Sequence, residues 1–225
     1  MDKSDLQEVL AALYLRLNGY LASGYIAHAR VGNLTEIDIL AVRFPGHKEP
    51  EREVSPCRHL RPPPDRVDFV VAEVKGGKRN ANFNPKFRER PEAIRKVLSR
   101  LGAFSEQEIE VWIPKITAAL RPQSLAKMSD FPSFPVTGLP GLLRFVLFSP
   151  DQTRGSSRHQ RPVIFGDDML TFIWTCLRPE VPRPECATDY LVELWGHQFN
   201  DLIAYFKDPS RRSPGMVDDL YAHVP

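Results

Sequence analysis

Three cysteines in 225 residues, Cys57, Cys176 and Cys186, are too few for a paired disulfide framework, and a reduced cytoplasmic setting is expected. Long apolar runs are missing as well. None approaches the roughly 18 residues a membrane span needs, so no membrane association is expected. "MDKSDLQEVL" has no basic stretch followed by an apolar one, so no secretory signal is expected. "GGKRN" (Gly76 to Asn80) lacks the G-x-x-x-x-G-K-[ST] spacing of a nucleotide-binding loop and gives ATP binding no support. Cys57-x-His59 has no second ligand pair, which argues against zinc. No serine, histidine and acid grouping can be argued from this order.

Net charge is also small, at +2, but it is unevenly spread. Nine Lys/Arg against two Glu lie between Lys75 and Arg100, so this segment carries +7 and the remainder −5. A basic stretch beside acidic residues suits a polyanion such as nucleic acid. A solvated helix face would have the same composition.

With 42% hydrophobic and 26% charged residues, the chain can bury one good core. One domain is expected over residues 1–207, with a proline-rich insertion at 45–66 and a loose tail at 208–225. Ser4 and Gln7 have capping-box spacing, and Leu6, Val9, Leu10, Leu13 and Leu17 follow at helical intervals. Strands are expected at Gly24 to Val31, Thr35 to Phe44 and Val67 to Lys75, then at Leu142 to Ser149 and Pro162 to Phe165. Helices are expected at Pro91 to Leu101, after Ser105, at Asp167 to Leu177 and at about Thr188 to Phe206. Pro114 predicts a kink or a break in the helix after Ser105. The order is that of a mixed α/β sheet flanked by helices.

"TEIDILAVRF" and "DFVVAEVKGGK" each interrupt an apolar strand with charge. Alternation places Glu36 and Asp38 on one face of their strand, and Glu73 and Lys75 on one face of theirs. If the strands are neighbours, Asp38 and Glu73 sit opposite each other, about 4.8 Å apart. A magnesium ion, with bonds of about 2.0–2.1 Å, fits between two such carboxylates. Lys75, roughly 6.7 Å along the same face, reaches a metal-bound water or an incoming phosphate.

This arrangement resembles the PD-(D/E)xK, or restriction-endonuclease-like, nuclease superfamily. Asp38 matches its Asp and Glu73-Val74-Lys75 its Glu-x-Lys, 35 residues apart across the proline-rich insertion. "LRLNGY", "TEIDILAVRFP" and "VVAEVKGG" are similar to a group of uncharacterised bacterial proteins of this type. The likeness covers residues 6–102 and extends further only through element order. It implies a central mixed sheet in αβββαβ order with extra C-terminal helices, Mg²⁺ or Mn²⁺ as cofactor, and the Val74 carbonyl as a further ligand beside Asp38 and Glu73. Other members carry an acid on the first helix. Glu8 is the candidate here, but it points nearly opposite the leucine stripe and reads first as a solvated helix acid. Glu36 is a candidate member of the site.

The leading expectation is metal-dependent hydrolysis of DNA phosphodiester bonds. Lys78, Arg79, Lys86, Arg88, Arg95 and Arg100 would supply a phosphate-binding surface, RNA would be an alternative substrate, and a homodimer could cut both strands. The competing expectation keeps the fold without the reaction, as a module binding nucleic acid or a protein partner in a defence or repair system.

Overall fold

The computed structural model describes residues 2–29, 32–46, 54–77, 81–156, 162–178 and 196–224. Helix α1 (Lys3–Leu17) starts earlier than the capping-box spacing implies, because Asp2 caps it by accepting from the Asp5 N–H at 2.9 Å. Three strands follow, β1 (Leu21–His28), β2 (Asn33–Arg43) and β3 (Val67–Val74). Four helices come next: α2 (Pro85–Arg88), α3 (Pro91–Leu101), α4 (Glu106–Ala119) and α5 (Pro122–Leu125). Strands β4 (Ser133–Val136), β5 (Gly141–Ser149) and β6 (Val163–Phe165) precede α6 (Gly166–Leu177), α7 (Asn200–Lys207) and α8 (Val217–His223).

The result is an open, mixed six-stranded sheet between two helical layers. Its order is β1-β2-β3-β5, with β4 and β6 both paired to the far side of β5. The β1–β2 and β2–β3 pairs are antiparallel and β3–β5 is parallel. A parallel connection needs a long crossover, and α2 to α5 lie within it. They pack Phe87, Ile94, Val97, Ile109 and Ile113 against one sheet face. Helices α1, α6, α7 and α8 cover the other with Leu10, Tyr14, Ile173, Phe206 and Leu220. Strand β3 is thus covered on both faces, which explains its nearly unbroken apolar run. No helix among the described residues is long and apolar enough to cross a membrane.

Several sequence-based expectations are corrected. Helix α4 runs unbroken through Pro114. Strand β4 was not foreseen because Pro135 sits in it; among the described residues the strand borders only β5, and a proline is tolerated where no second ladder needs its N–H. Residues 208–224 are not a loose tail: α8 buries Leu220 completely, and Val224 is 6% exposed in the same core layer. Of the insertion, the stretch from Cys57 to Pro64 is pinned. Cys57 N–H donates to Asn18 Oδ1 at 2.7 Å, Leu60 is buried, and the Leu60 and Pro63 carbonyls accept from Arg144 and Arg43. The expected helix from Thr188 lies mostly outside the described residues, which resume before α7.

Candidate active site

The β2–β3 ladder ends with the pair Ile39 and Ala72, and one further step of the same register sets Asp38 opposite Glu73. Regular alternation does not hold at this point. Ser23 pairs with Leu40 but Tyr25 with Ile37, so Asp38 and Ile39 together face the single residue Gly24. This is a β-bulge, a device that re-aims side chains. Ile37 and Leu40 consequently pack into one core layer, and Ile39 and Ala41 into the other. The bulge turns Asp38 into the gap where the ladder ends. There its Oδ2 accepts from the Val74 N–H at 2.6 Å, in place of a ladder partner. In a strand, a residue's N–H and C=O leave the same edge, so the Val74 carbonyl also faces β2 past the last pair.

Glu73 is 1% exposed, and Lys75, whose side chain is 36% exposed, pairs its ammonium with Glu73 Oε1. Glu73 Oε2 is buried and has no hydrogen-bond partner among the described residues. Burial pushes Glu73 up to about 7; Lys75 and a backbone contact from Asn84 oppose the rise and Asp38 adds to it. Burial also raises Asp38, against the pull of the Val74 N–H and Lys75, with Glu36 reinforcing the rise. The three side chains singled out from sequence are therefore gathered where the β2–β3 ladder ends.

Glu8 joins them electrostatically. Burial first, then Asp38, Glu36 and Asp5, push it up to about 7, with Lys75 opposing. It is a partly buried neighbour of the carboxylates rather than a remote solvated acid. Glu36, paired with Ile26 of β1, is exposed. Among the described residues, no three His, Cys, Asp or Glu side chains stand close enough to form a ready cage for an ion.

The basic segment is less uniform than its composition implies. Lys78 and Arg79 lie outside the described residues. Arg95 donates through Nε and Nη2 to Glu110 Oε1 at 2.8 and 2.7 Å. Arg100 stacks over the Tyr25 ring at 5.7 Å, and Arg88 Nη2 lies 2.8 Å from Glu89. Lys86 is exposed, and its ammonium forms no ion pair among the described residues. The tryptophans within the described residues also have partners: Trp112 packs edge-on to Phe134 at 5.5 Å, and Trp174 lies beneath Arg178 at 4.3 Å. Comparison with family models, with curated proteins and with solved structures gave no match for this chain, so its own geometry is the basis for assigning a role.

Proposed function

We propose that the chain is a divalent-metal-dependent nuclease of restriction-endonuclease-like type that hydrolyses DNA phosphodiester bonds. The observation that carries this reading is Glu73. A carboxylate at 1% exposure, with one oxygen that has no hydrogen-bond partner among the described residues and a second carboxylate beside it, is costly to keep unless something binds there. The available donors, two carboxylates and a backbone carbonyl, are hard oxygens of the kind Mg²⁺ and Mn²⁺ prefer.

In this reading Asp38, Glu73 and the Val74 carbonyl hold the cation. When bound, the cation lowers the pKa of a water and offsets charge on the phosphoryl transition state. Asp38 is held in line by the Val74 N–H. Lys75 sits at the boundary between the buried carboxylate and solvent, where its ammonium orients the attacking water and meets the phosphate. Glu8 and Glu36 enrich the negative field that draws a cation in, and Lys86 offers the phosphates an unpaired charge nearby in sequence.

Purified protein with Mg²⁺ or Mn²⁺ is expected to cut plasmid or single-stranded DNA. Lys75→Ala is expected to lose about 10²–10⁴-fold in rate, and Glu73→Gln to abolish metal-dependent cutting. Unchanged cleavage in both variants would end this mechanism.

A second reading draws on two observations, the Lys75 ion pair that already occupies Glu73 Oε1 and the lack of a ready three-carboxylate cage among the described residues. On that reading the protein is a non-catalytic binding module for nucleic acid or a protein partner. DNA binding with a steep salt dependence, but no heat of Mn²⁺ binding in calorimetry, would favour it.

A further inference from the structure

Directly after β3 the chain turns through Lys75, Gly76 and Gly77, and this turn is gripped from several sides. Lys75 N–H donates to the Phe148 carbonyl at 2.9 Å. The next donor a parallel ladder would supply falls at Pro150, which has no N–H. Ser149 Oγ serves instead, donating to the Lys75 carbonyl at 3.3 Å. Gly77 has φ +87°, a conformation that favours glycine. At Gly76, a Cβ would lie 2.5 Å from Gln7 Oε1, so the backbone rests directly on that side chain.

Asp151 closes the grip. Its Oδ2 accepts from Gly77 N–H at 2.6 Å and lies 3.0 Å from Lys3 Nζ. Its Oδ1 accepts from Gln7 Nε2 at 2.9 Å and from the Tyr221 hydroxyl at 2.7 Å. Gln7 Nε2 also donates to the Tyr221 oxygen at 2.8 Å. Both oxygens of one carboxylate are thus filled by donors from α1, from α8 and from the turn. Gln152 adds a donor to the Gly77 carbonyl at 3.3 Å. Burial alone would raise Asp151, but the donors from Gly77, Tyr221 and Lys3 hold it below the usual carboxylate range, so it stays charged.

We infer that Asp151 is a positioning residue: by anchoring Gly77 to α1 and α8, it holds Lys75 in register beside Glu73. The inference rests on the proposed role of Lys75 in hydrolysis. It makes α8, far away in sequence, part of the support for the site. Gln7 cannot swing aside to let the turn relax, because Asp151 and Tyr221 both hold its amide.

Asp151→Asn tests it, since an amide nitrogen would replace one of two oxygens that each receive donors. Two readouts are taken on the full chain: amide hydrogen exchange over residues 73–77, and steady-state DNA cleavage with Mn²⁺ titrated by calorimetry. The expected result is roughly tenfold faster exchange at Lys75 and Gly77, with β5 amides unchanged. kcat should fall roughly tenfold while KM for DNA and Mn²⁺ affinity stay as in wild type. Tyr221→Phe removes one donor without changing the ring's packing and should show the same pattern, weaker. It also serves if Asp151→Asn does not fold. Unchanged exchange in the turn would overturn the inference, and so would faster exchange with wild-type kcat. A wild-type chain that does not cleave would instead defeat the proposed hydrolysis, and the hold of Asp151 on the turn would then be decided by the exchange alone.

Discussion

Asp68 and Glu73 lie five residues apart on β3, at 0% and 1% exposure, and the protein answers their charges in opposite ways. Asp68 is saturated. Arg144 Nε donates to it at 2.9 and 3.1 Å, Arg144 Nη2 and the Tyr20 hydroxyl add short contacts, and Arg144 Nη1 donates to Leu60 O at 2.7 Å. Glu73 has a lysine on Oε1 and a backbone contact from Asn84, and its Oε2 has no hydrogen bond among the described residues. The first arrangement fastens the proline-rich insertion to the sheet. The second leaves acceptor capacity unused at the end of the ladder, next to Asp38. On the proposed reading, the carboxylate kept for architecture is paired on every side, and the one that would serve chemistry is left partly open. Stability and activity should therefore respond oppositely at the two ends of one strand.

The largest expected effect is at the saturated end. Arg144→Met removes the guanidinium and strands Asp68 in the interior, at a cost of about 3–5 kcal/mol in denaturant unfolding, while any metal-dependent activity of the folded fraction persists. A loss below about 1 kcal/mol would show that water reaches Asp68 and would dissolve the contrast. At the open end, Glu73→Gln is expected to stabilise the fold at pH 8 by part of the roughly 1–3 kcal/mol that an unsatisfied buried group costs. The pH dependence has the same origin. Glu73 titrates near 7 in the folded chain against the usual 4.5, so between these values the folded state holds its proton more tightly than the unfolded state does. Stability should then fall as pH rises through this window, with the full penalty present above about 7. Glu8 contributes in the same direction. Denaturant midpoints measured from pH 4.5 to 8 should flatten in Glu73→Gln. A stability that rises across the window in wild type would contradict the picture.

The open end was the legible one. An acid and a lysine in an otherwise apolar strand stand out against their neighbours, and so does Asp38 within a β-branched run, because charge breaks a local pattern. The bulge that turns Asp38 toward Val74 was not legible, since it depends on how β1 pairs around Gly24. The Asp68–Arg144 pair was missed although Asp68 begins the same quoted stretch. Its partner is 76 residues away on β5, and nothing local to either residue announces the other. Asp151, Gln7 and Tyr221 were hidden for the same reason, because the sequence separations they bridge reach 214 residues. Strand β4 was concealed by Pro135, where the ladder position overrides the residue's usual meaning. Periodicity reveals which face is buried; it does not reveal which distant element completes a polar cluster.

The smallest expected effect sharpens the comparison most. The Tyr20 hydroxyl donates to Asp68 and accepts from Arg144 Nη2 at 3.0 Å. Burial, with Asp68 adjacent, holds Tyr20 far above its usual pKa, so it remains a neutral donor throughout the working pH range. Tyr20→Phe deletes this bridge but leaves the guanidinium on both oxygens of Asp68. If the cluster is saturated, one lost neutral donor costs about 0.5–1.5 kcal/mol, well below the loss in Arg144→Met. A loss as large as that of Arg144→Met would mean that the hydroxyl holds the pair together cooperatively, with Tyr20, between α1 and β1, setting the geometry. A double-mutant cycle between Tyr20→Phe and Arg144→Met measures the difference, because a bridge that only adds to an already complete pair leaves little coupling once the arginine is gone.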